Sequence, residues 1–201
     1  MMFTGFYDHT PRPTTRAPYP EGCDDVGQWG WELAELEKIV GLLDPQSILE
    51  IGAYHGGTLY SWLRLLSPNG GTAYTIDDRP PLGVWRGWAN AFGAGMENYV
   101  GNSHDADTLT WATARGPFDF LFIDGDHTYP GVKYDFSQYA PLVRRGGVVA
   151  FHDILNPAPG RNQDHIRVSI LWQEIQRAGY LTRELVTHPD QGWGGIGVVY
   201  L

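Results

Sequence analysis

The stretch ILEIGAYHGGTLYSWL, residues 48–63, joins a short apolar run to a helical pattern through a glycine-rich turn. Glu50 stands at the end of the apolar run, and Thr58 opens the helix that follows the turn. Glycines let a backbone turn tightly and approach a ligand, and the free amides at a helix start favour negative charge. The spacing is not GxGxxG, which argues against a dinucleotide site. The pattern therefore predicts a strand, a ligand-binding turn and a helix.

Similar alternation continues along the rest of the chain. The apolar runs are SILEI, TAYTI, NYV, FDFLFI and GGVVAF, and candidate helices lie at 57–66, 82–94, 105–114, 131–143 and 166–178. YLTRELV and IGVVY, separated by THPDQGWGG, predict two final strands that form an antiparallel hairpin at one edge. Together these elements predict an α/β, Rossmann-like doubly wound fold with a mostly parallel seven-stranded sheet and helices on both faces.

The first part of the chain has a different pattern. Residues 1–27 contain four prolines among small and polar residues, which favours an extended N-terminal arm over a packed element. Residues 28–43 carry apolar side chains at helical spacing and predict an amphipathic helix. A chain of 201 residues has room for one well-buried α/β core, so we expect one domain over residues 28–201.

Charge and cysteine content limit the partners and the compartment. Acidic residues outnumber basic ones by 23 to 14, the formal charge is -9, and no Lys/Arg cluster is present, which argues against nucleic acid as a partner. The single cysteine, Cys23, permits no intrachain disulfide and favours a reducing cytoplasm. No export signal and no apolar run of about 18 residues is found, so we expect no membrane partner.

Polar residues follow the predicted strands at the sheet edge where ligands bind in such folds. Asp77 closes the second run and is placed to accept hydrogen bonds from a ribose diol. Ser103 and His104 follow the third run and could bond an adenine edge. His55, inside the glycine turn, is equally well a ligand contact or a solvated loop residue.

A second group of polar residues follows the fourth and fifth runs. Asp124 ends the fourth run, and His152 and Asp153 end the fifth. Neighbouring strands lie about 4.8 Å apart, so these three side chains can converge on one cation, and Asp with His accommodates Mg, Mn, Fe or Zn. His127 is the natural proton acceptor, since an unperturbed imidazole has a pKa of about 6.5. Three roles are open for Asp126: a reserve metal ligand, a partner that orients His127, or a residue that turns the chain and caps the next helix.

These loops resemble those of a known enzyme family. LEIGAYHGGT, YTID and VGNSHD are similar to the glycine, ribose and adenine loops of class I S-adenosylmethionine-dependent O-methyltransferases related to catechol O-methyltransferase. FLFIDGDHTYPGVKYDFSQYAPLVRRGGVVAFHDI resembles bacterial sugar and small-molecule O-methyltransferases, including cephalosporin-hydroxylase-like families. The resemblance covers about residues 28–201 and implies a methyltransferase domain there. It implies transfer of a methyl group from S-adenosyl-L-methionine to a hydroxyl of a sugar, a catechol-like compound or a natural-product diol.

The resemblance also implies roles for particular residues. The implied cofactor-binding residues are Glu50, Gly52, Ala53, Tyr54, Gly56, Thr58, Asp77, Asp78, Ser103, His104 and Asp124. Asp124 and His127 are the implied catalytic residues, and Asp124, His152 and Asp153 are the implied ligands of a divalent metal. Catechol O-methyltransferase has an Asp–Asn pair at His152–Asp153 and a lysine at His127. This departure at His152 leaves the identity of the metal open: Mg is the first expectation, and Mn, Fe and Zn are the alternatives.

Two other functions stay open at the level of sequence. One is a protein that binds S-adenosylmethionine without methyl transfer, and the other is an oxidase or hydroxylase with iron at the His/Asp cluster. The loop after Asp153 supplies weak candidates for substrate contacts, which are Arg161, Asn162, Gln163 and His165. Edge strands and a proline-rich arm are compatible with a homodimer.

Overall fold

The computed structural model describes residues 28–157, 165–188 and 190–201. The arm predicted for residues 1–27, the residue Cys23 and three of the substrate-contact candidates (Arg161, Asn162 and Gln163) lie outside the described residues. Among the described residues, no helix is long and apolar enough to cross a membrane.

The strands form one seven-stranded sheet. They are β1 Ser47–Ile51, β2 Thr72–Asp77, β3 Gly95–Val100, β4 Phe118–Ile123, β5 Val143–Phe151, β6 Leu181–Leu185 and β7 Ile196–Tyr200. Their order is β3-β2-β1-β4-β5-β7-β6. Strands β1 to β5 pair in parallel, and β7 runs antiparallel to both β5 and β6. The predicted mostly parallel sheet with an antiparallel hairpin at one edge is confirmed.

The described residues include six α-helices. They are α1 Gly30–Gly41, α2 Gly57–Leu66, α3 Leu82–Phe92, α4 Ala106–Thr113, α5 Tyr129–Tyr139 and α6 Val168–Arg177. Every predicted helix is present, with small differences at the ends. The largest concerns α5, which was expected at 131–143. It begins earlier because the Thr128 side chain caps it by accepting from Gly131 N, and it ends earlier because the chain tightens into a 3-10 turn at Ala140–Leu142.

Both faces of the sheet carry a hydrophobic core. Side chains of α1, α2 and α3 pack on one face, where the Trp62 ring lies 5.1 Å from that of Phe120. Side chains of α4, α5 and α6 pack on the other face, where Trp172 lies near Phe151. Because strand side chains alternate between faces, Ile48 enters the first core and Leu49 the second. This two-sided burial explains why the central strands β1 and β4 are largely apolar.

The order of the strands places a crevice between the ends of β1 and β4. The chain moves from β1 toward β3 on one side and from β4 toward β6 on the other, so connections leave in opposite directions at this point. Gly52, directly after β1, has a φ of 82° and lies so close to β4 that a side chain there would collide with the carbonyl of Asp124. The glycine therefore permits a close approach of two strand ends at the crevice.

Candidate active site

A cavity of about 600 Å³ lies at the carboxyl ends of the parallel strands. This volume falls within the range of small-molecule sites, about 300–1,000 Å³. The residues predicted from the sequence that line it are Gly52, Ala53, Tyr54, Thr58, Asp77, Asp78, Ser103, Asp124, His127, His152 and Asp153. Because of the strand order, the residues after β2 and β3 lie on one side of β1, and those after β4 and β5 lie on the other.

Asp77 ties the end of β2 to the glycine turn. Its Oδ2 accepts a 2.8 Å hydrogen bond from Tyr54 N, and its Oδ1 accepts a 2.8 Å bond from Arg79 N. Tyr54 has a positive φ of 49°, is largely exposed, and stacks its ring on that of His55 with 3.9 Å between centroids. The acid thus stabilises the loop that approaches the crevice while its carboxylate faces the cavity.

Two of the predicted cofactor contacts lie behind the glycine turn and do not line the cavity. Glu50 is fully buried and accepts a hydrogen bond from the hydroxyl of Thr58. Burial raises the pKa of Glu50 to about 8, and the hydrogen bond from Thr58 opposes this shift only in part. Gly56 packs against the indole of Trp85, where a side chain would collide. In this arrangement both residues support the turn.

His104 also points away from the cavity, toward helix α5. Its Nε2 lies 3.6 Å from Oδ1 of the fully buried Asp135, and its ring packs against Tyr134 with 4.7 Å between centroids. Burial raises the pKa of Asp135 to about 6, although Ser103 and His104 oppose the shift. The Tyr139 hydroxyl donates a 2.6 Å bond to Ser103 O. Helix α5 therefore stabilises the loop after β3 from the side opposite the cavity. The helical pattern of α5 in the sequence does not predict this role.

Four side chains converge at the ends of β4 and β5. His127 Nε2 lies 3.1 Å from Asp124 Oδ1 and 3.2 Å from Asp153 Oδ2. His152 Nδ1 lies 3.3 Å from Asp124 Oδ1 and 3.6 Å from Asp153 Oδ2. All four side chains offer ligand atoms within 4.8 Å of one another. The structure brings the three predicted metal ligands together and places the predicted base among them.

The charges in this cluster compensate one another. Burial raises the pKa of Asp124, but the charge of His152 and the hydrogen bond to His127 outweigh it and lower the pKa to about 2. Burial lowers the pKa of both histidines, but the hydrogen bonds and charges of the carboxylates outweigh it. The pKa of His127 is raised, and that of His152 is raised well above its ordinary value. The carboxylates thus favour the protonated form of both imidazoles, and the imidazoles favour the ionised form of Asp124.

The cluster has the chemistry of a transition-metal or magnesium site. Two carboxylates and two imidazoles on adjacent strands form a donor set suited to Mn, Fe or Zn, and Mg is accommodated mainly by the carboxylates. His152 Nε2 is buried and has no hydrogen-bond partner among the described residues, while its Nδ1 faces the carboxylates. Asp124, His152 and Asp153 therefore fit the metal that the resemblance implies, and His127 lies close enough to be a fourth ligand.

Asp126 serves the turn between β4 and α5. Its Oδ1 accepts a 2.8 Å hydrogen bond from Thr128 N, directly before the helix begins. A side chain at Gly131 would collide with the Asp126 carboxylate, so this acid also packs against the first helical turn. Of the interpretations considered for Asp126, the structure shows the role in chain turning, although the residue also borders the cavity.

Among the lining residues that the sequence does not assign to the site, Gln28 and Trp193 come from distant parts of the chain. Gln28, which precedes α1, donates a 2.8 Å hydrogen bond from Nε2 to Asp124 Oδ2. Trp193, in the connection between β6 and β7, lines the cavity and packs on Trp29 with 5.2 Å between ring centroids. No local sequence pattern predicts that either residue lies at the cavity, because each reaches it from a distant part of the chain.

Comparison with known proteins agrees with this geometry. The family described as a methyltransferase domain matches residues 49–154, which is more than half of the chain. Catechol O-methyltransferase B of Danio rerio is 28% identical over 141 residues, covering 67% of this chain and 52% of that protein. The chain thus spans about half the length of this relative.

Solved structures show the same fold. Cofactor-bound Rv0187 from MTB superposes with a TM-score of 0.69 at 25% identity, covering 90% of this chain and 83% of that one. The O-methyltransferase TomG from Streptomyces achromogenes, solved in complex with SAM, gives a TM-score of 0.63 at 22% identity, covering 89% and 82%. The chain shares its fold with these structures and is similar to proteins that include O-methyltransferases. It therefore belongs to the family described as a methyltransferase domain.

Proposed function

We propose that this protein transfers a methyl group from S-adenosyl-L-methionine to a hydroxyl of a small molecule, with a divalent metal and a histidine base assisting the acceptor. The observation that carries the proposal is that Asp124, His127, His152 and Asp153 converge in the same cavity as Asp77 and the glycine turn. One cavity thus offers a place for the methyl donor beside groups that can activate a hydroxyl.

The methyl donor is assigned to the β1–β3 side of the cavity. Asp77 and Thr58 both border the cavity. Asp77 would accept hydrogen bonds from ribose hydroxyls, and Thr58, at the start of α2, would lie beside a carboxylate that the helix amides favour. Ser103 borders the cavity on the loop after β3 and is assigned to the adenine. His104 remains in the proposal only if its side chain rotates away from Asp135, because its ring now packs on α5.

The acceptor hydroxyl is assigned to the His/Asp side. A bound divalent metal lowers the pKa of a coordinated hydroxyl and fixes its position. Asp124, His152 and Asp153 would hold this metal, and His127 would accept the proton. A cation held by Asp124 and Asp153 would offset the carboxylate charges that raise the pKa of His127. The neutral imidazole, which can accept a proton, would then be favoured.

The acceptor class follows from this arrangement. A vicinal diol, as in a sugar or a catechol-like ring, can chelate a metal held by the cluster with two oxygens. Trp193 offers an apolar wall on the same cavity, against which the carbon frame of such a compound can pack. The partner is thus a small molecule. A homodimer and a cytoplasmic setting are parts of the proposal that rest on the sequence alone.

The first experiment is a calorimetric titration of S-adenosylmethionine into the purified protein, with Mg or Mn and with chelator. Binding in the micromolar range, followed by metal-dependent formation of S-adenosylhomocysteine with a panel of diols, would support the whole proposal. Binding without methyl transfer to any diol, with or without metal, would instead support a protein that only binds the cofactor. No binding under any condition would reject the methyltransferase function.

An iron-dependent oxidase is a second candidate, and the position of His127 favours it. His127, His152 and one carboxylate would form a set of two histidines and one acid, which is typical of non-haem iron oxygenases. Oxygen consumption by the Fe(II)-loaded protein with a diol would support this function. Metal-dependent methyl transfer under anaerobic conditions would show that the reaction does not require oxygen, and it would exclude the oxidase function.

A further inference from the structure

Glu32 on helix α1 is a buried acid bonded to a loop at the far end of the chain. Its Oε1 accepts hydrogen bonds of 2.8 Å from Thr187 N and 2.9 Å from Gln191 Nε2, and its Oε2 accepts a 3.2 Å bond from Gly195 N. The side chain is fully buried, and burial raises its pKa while these hydrogen bonds oppose the shift. Burying a carboxylate without hydrogen bonds costs free energy. The three hydrogen bonds to Glu32 therefore favour the loop conformation that supplies their donors.

The same loop is bonded to the chain around Asp153. Gly194 N donates a 3.1 Å hydrogen bond to Asp153 Oδ1. Ile154 N donates to Gly195 O at 3.3 Å, and Leu155 N donates to Gly194 O at 3.0 Å. Asp153 itself has a positive φ of 60°, a conformation that a non-glycine residue adopts only where its surroundings maintain it.

We propose that Glu32 is the positioning residue of Asp153. By holding Gly195, Glu32 keeps the Gly194 amide on Asp153 Oδ1, and this leaves Asp153 Oδ2 facing both histidines of the cluster. Glu32 touches none of the reacting groups. Its hydrogen bonds reach Asp153 through the loop, and its charge also interacts with His152. The inference deepens the proposed function and rests on it in one respect, namely that Asp153 binds the metal.

The test compares two substitutions on the same helix. Glu32→Gln keeps one acceptor oxygen but turns an amide toward a loop N–H, whereas Glu35→Gln changes an acid whose partners are Lys38 and Arg183 at the surface. We expect Glu32→Gln to weaken Mn²⁺ binding by roughly 10–100-fold, the usual effect of losing a group that orients a metal ligand. Affinity for S-adenosylmethionine should stay unchanged, and Glu35→Gln should behave as the unsubstituted protein.

Hydrogen exchange in the metal-free protein gives a readout that does not depend on activity. In Glu32→Gln, the amides of Ile154, Leu155 and Gly194 should exchange faster, while those of β1 and β4 should keep their protection. Faster exchange across the whole sheet would mean that Glu32 only stabilises the fold, and it would overturn the inference. Faster exchange confined to these three amides, with unchanged Mn²⁺ affinity, would also overturn the inference.

The inference and the proposed function can fail separately. If the unsubstituted protein binds no divalent cation, the metal-assisted function is rejected and the exchange data alone decide whether Glu32 positions Asp153. If Glu32→Gln does not fold, Gln191→Ala removes one donor to the same carboxylate, together with the Gln191 bonds to His188 N and Trp193 O within the loop. That variant should show a smaller change in the same amides and in Mn²⁺ affinity, and no change in either would overturn the inference.

Discussion

The side-chain amide of Gln28 donates a 2.8 Å hydrogen bond to Oδ2 of Asp124, across 96 positions of the sequence. The residue that precedes helix α1 thus reaches the end of β4. Because this bond occupies Oδ2, Oδ1 of Asp124 remains directed at His127 and His152. The segment from Gln28 to Glu32 is therefore linked to both acids of the cluster. Gln28, just before α1, bonds Asp124 directly, and Glu32 in α1 bonds the loop whose Gly194 amide bonds Asp153.

Gln28→Ala should weaken the binding of Mn²⁺ by about tenfold, because loss of an outer hydrogen bond frees the orientation of a metal ligand. Calorimetric titration measures the affinity. Gln46→Ala is the matched control, since the Gln46 side chain bonds Pro45 O at the opposite end of β1. Equal affinities in the two variants would show that Gln28 does not orient Asp124.

His127→Ala should lower turnover by roughly 100-fold or more, the usual contribution of a general base, and should leave affinity for S-adenosylmethionine nearly intact. Turnover is followed by formation of S-adenosylhomocysteine with an active diol. His188→Ala controls for loss of a histidine outside the cavity lining. Full turnover of His127→Ala at neutral pH would rule out His127 as the base.

Asp77→Ala should weaken affinity for S-adenosylmethionine by roughly 10-fold or more. The substitution removes a carboxylate that would accept charge-assisted hydrogen bonds from the ribose, each worth about 1.5–3 kcal/mol. It also frees Tyr54 N, which Asp77 holds in the glycine turn. Calorimetric titration measures the effect. Asp107→Ala, at an exposed acid in the first turn of α4, should bind the cofactor normally. An unchanged affinity in Asp77→Ala would remove Asp77 from the cofactor site.

Metal affinity should rise with pH. The pKa values of His127 and His152 are raised in the metal-free cluster, so each imidazole that binds a cation must first lose a proton. The affinity should therefore increase about tenfold per pH unit for each proton released, as long as the pH is below the raised pKa. Titrations in two buffers with different ionisation enthalpies count the protons. A pH-independent affinity would show that neither histidine is a ligand.

Glu50→Gln should change how stability depends on pH. The pKa of Glu50 is raised in the folded state from 4.5 to about 8. Its protonated form therefore contributes stability that is fully present below pH 4.5 and is lost as the pH rises through about 8. At about 1.4 kcal/mol per pKa unit, the loss is on the order of 3–5 kcal/mol.

Denaturant unfolding of both proteins across this pH range provides the measurement. Gln carries no titrating proton, so the free energy of unfolding of Glu50→Gln should fall less with rising pH than that of the unsubstituted protein. Parallel curves for the two proteins would show that Glu50 does not titrate as its burial predicts.

Local patterns determined the element order and part of the site. Apolar runs of strand length that alternate with helical periodicity specify a doubly wound sheet, because each side chain's face follows from the backbone repeat. The carboxyl ends of parallel strands share one edge, so Asp77, Asp124, His152 and Asp153 could be expected near one crevice. The structure agrees, with all four lining one cavity.

Only the tertiary structure decided which distant side chains complete the site. Gln28 reaches Asp124, and Glu32 reaches Gly195 over 163 positions, by contacts that no spacing within a segment encodes. The direction of His104, toward Asp135 and away from the cavity, depends on packing against α5 in the same way. The sequence alone thus determined the fold and the strand-end residues, because backbone periodicity is local. Packing between elements decided how the acids are oriented and buried, because those contacts exist only after the sheet has formed.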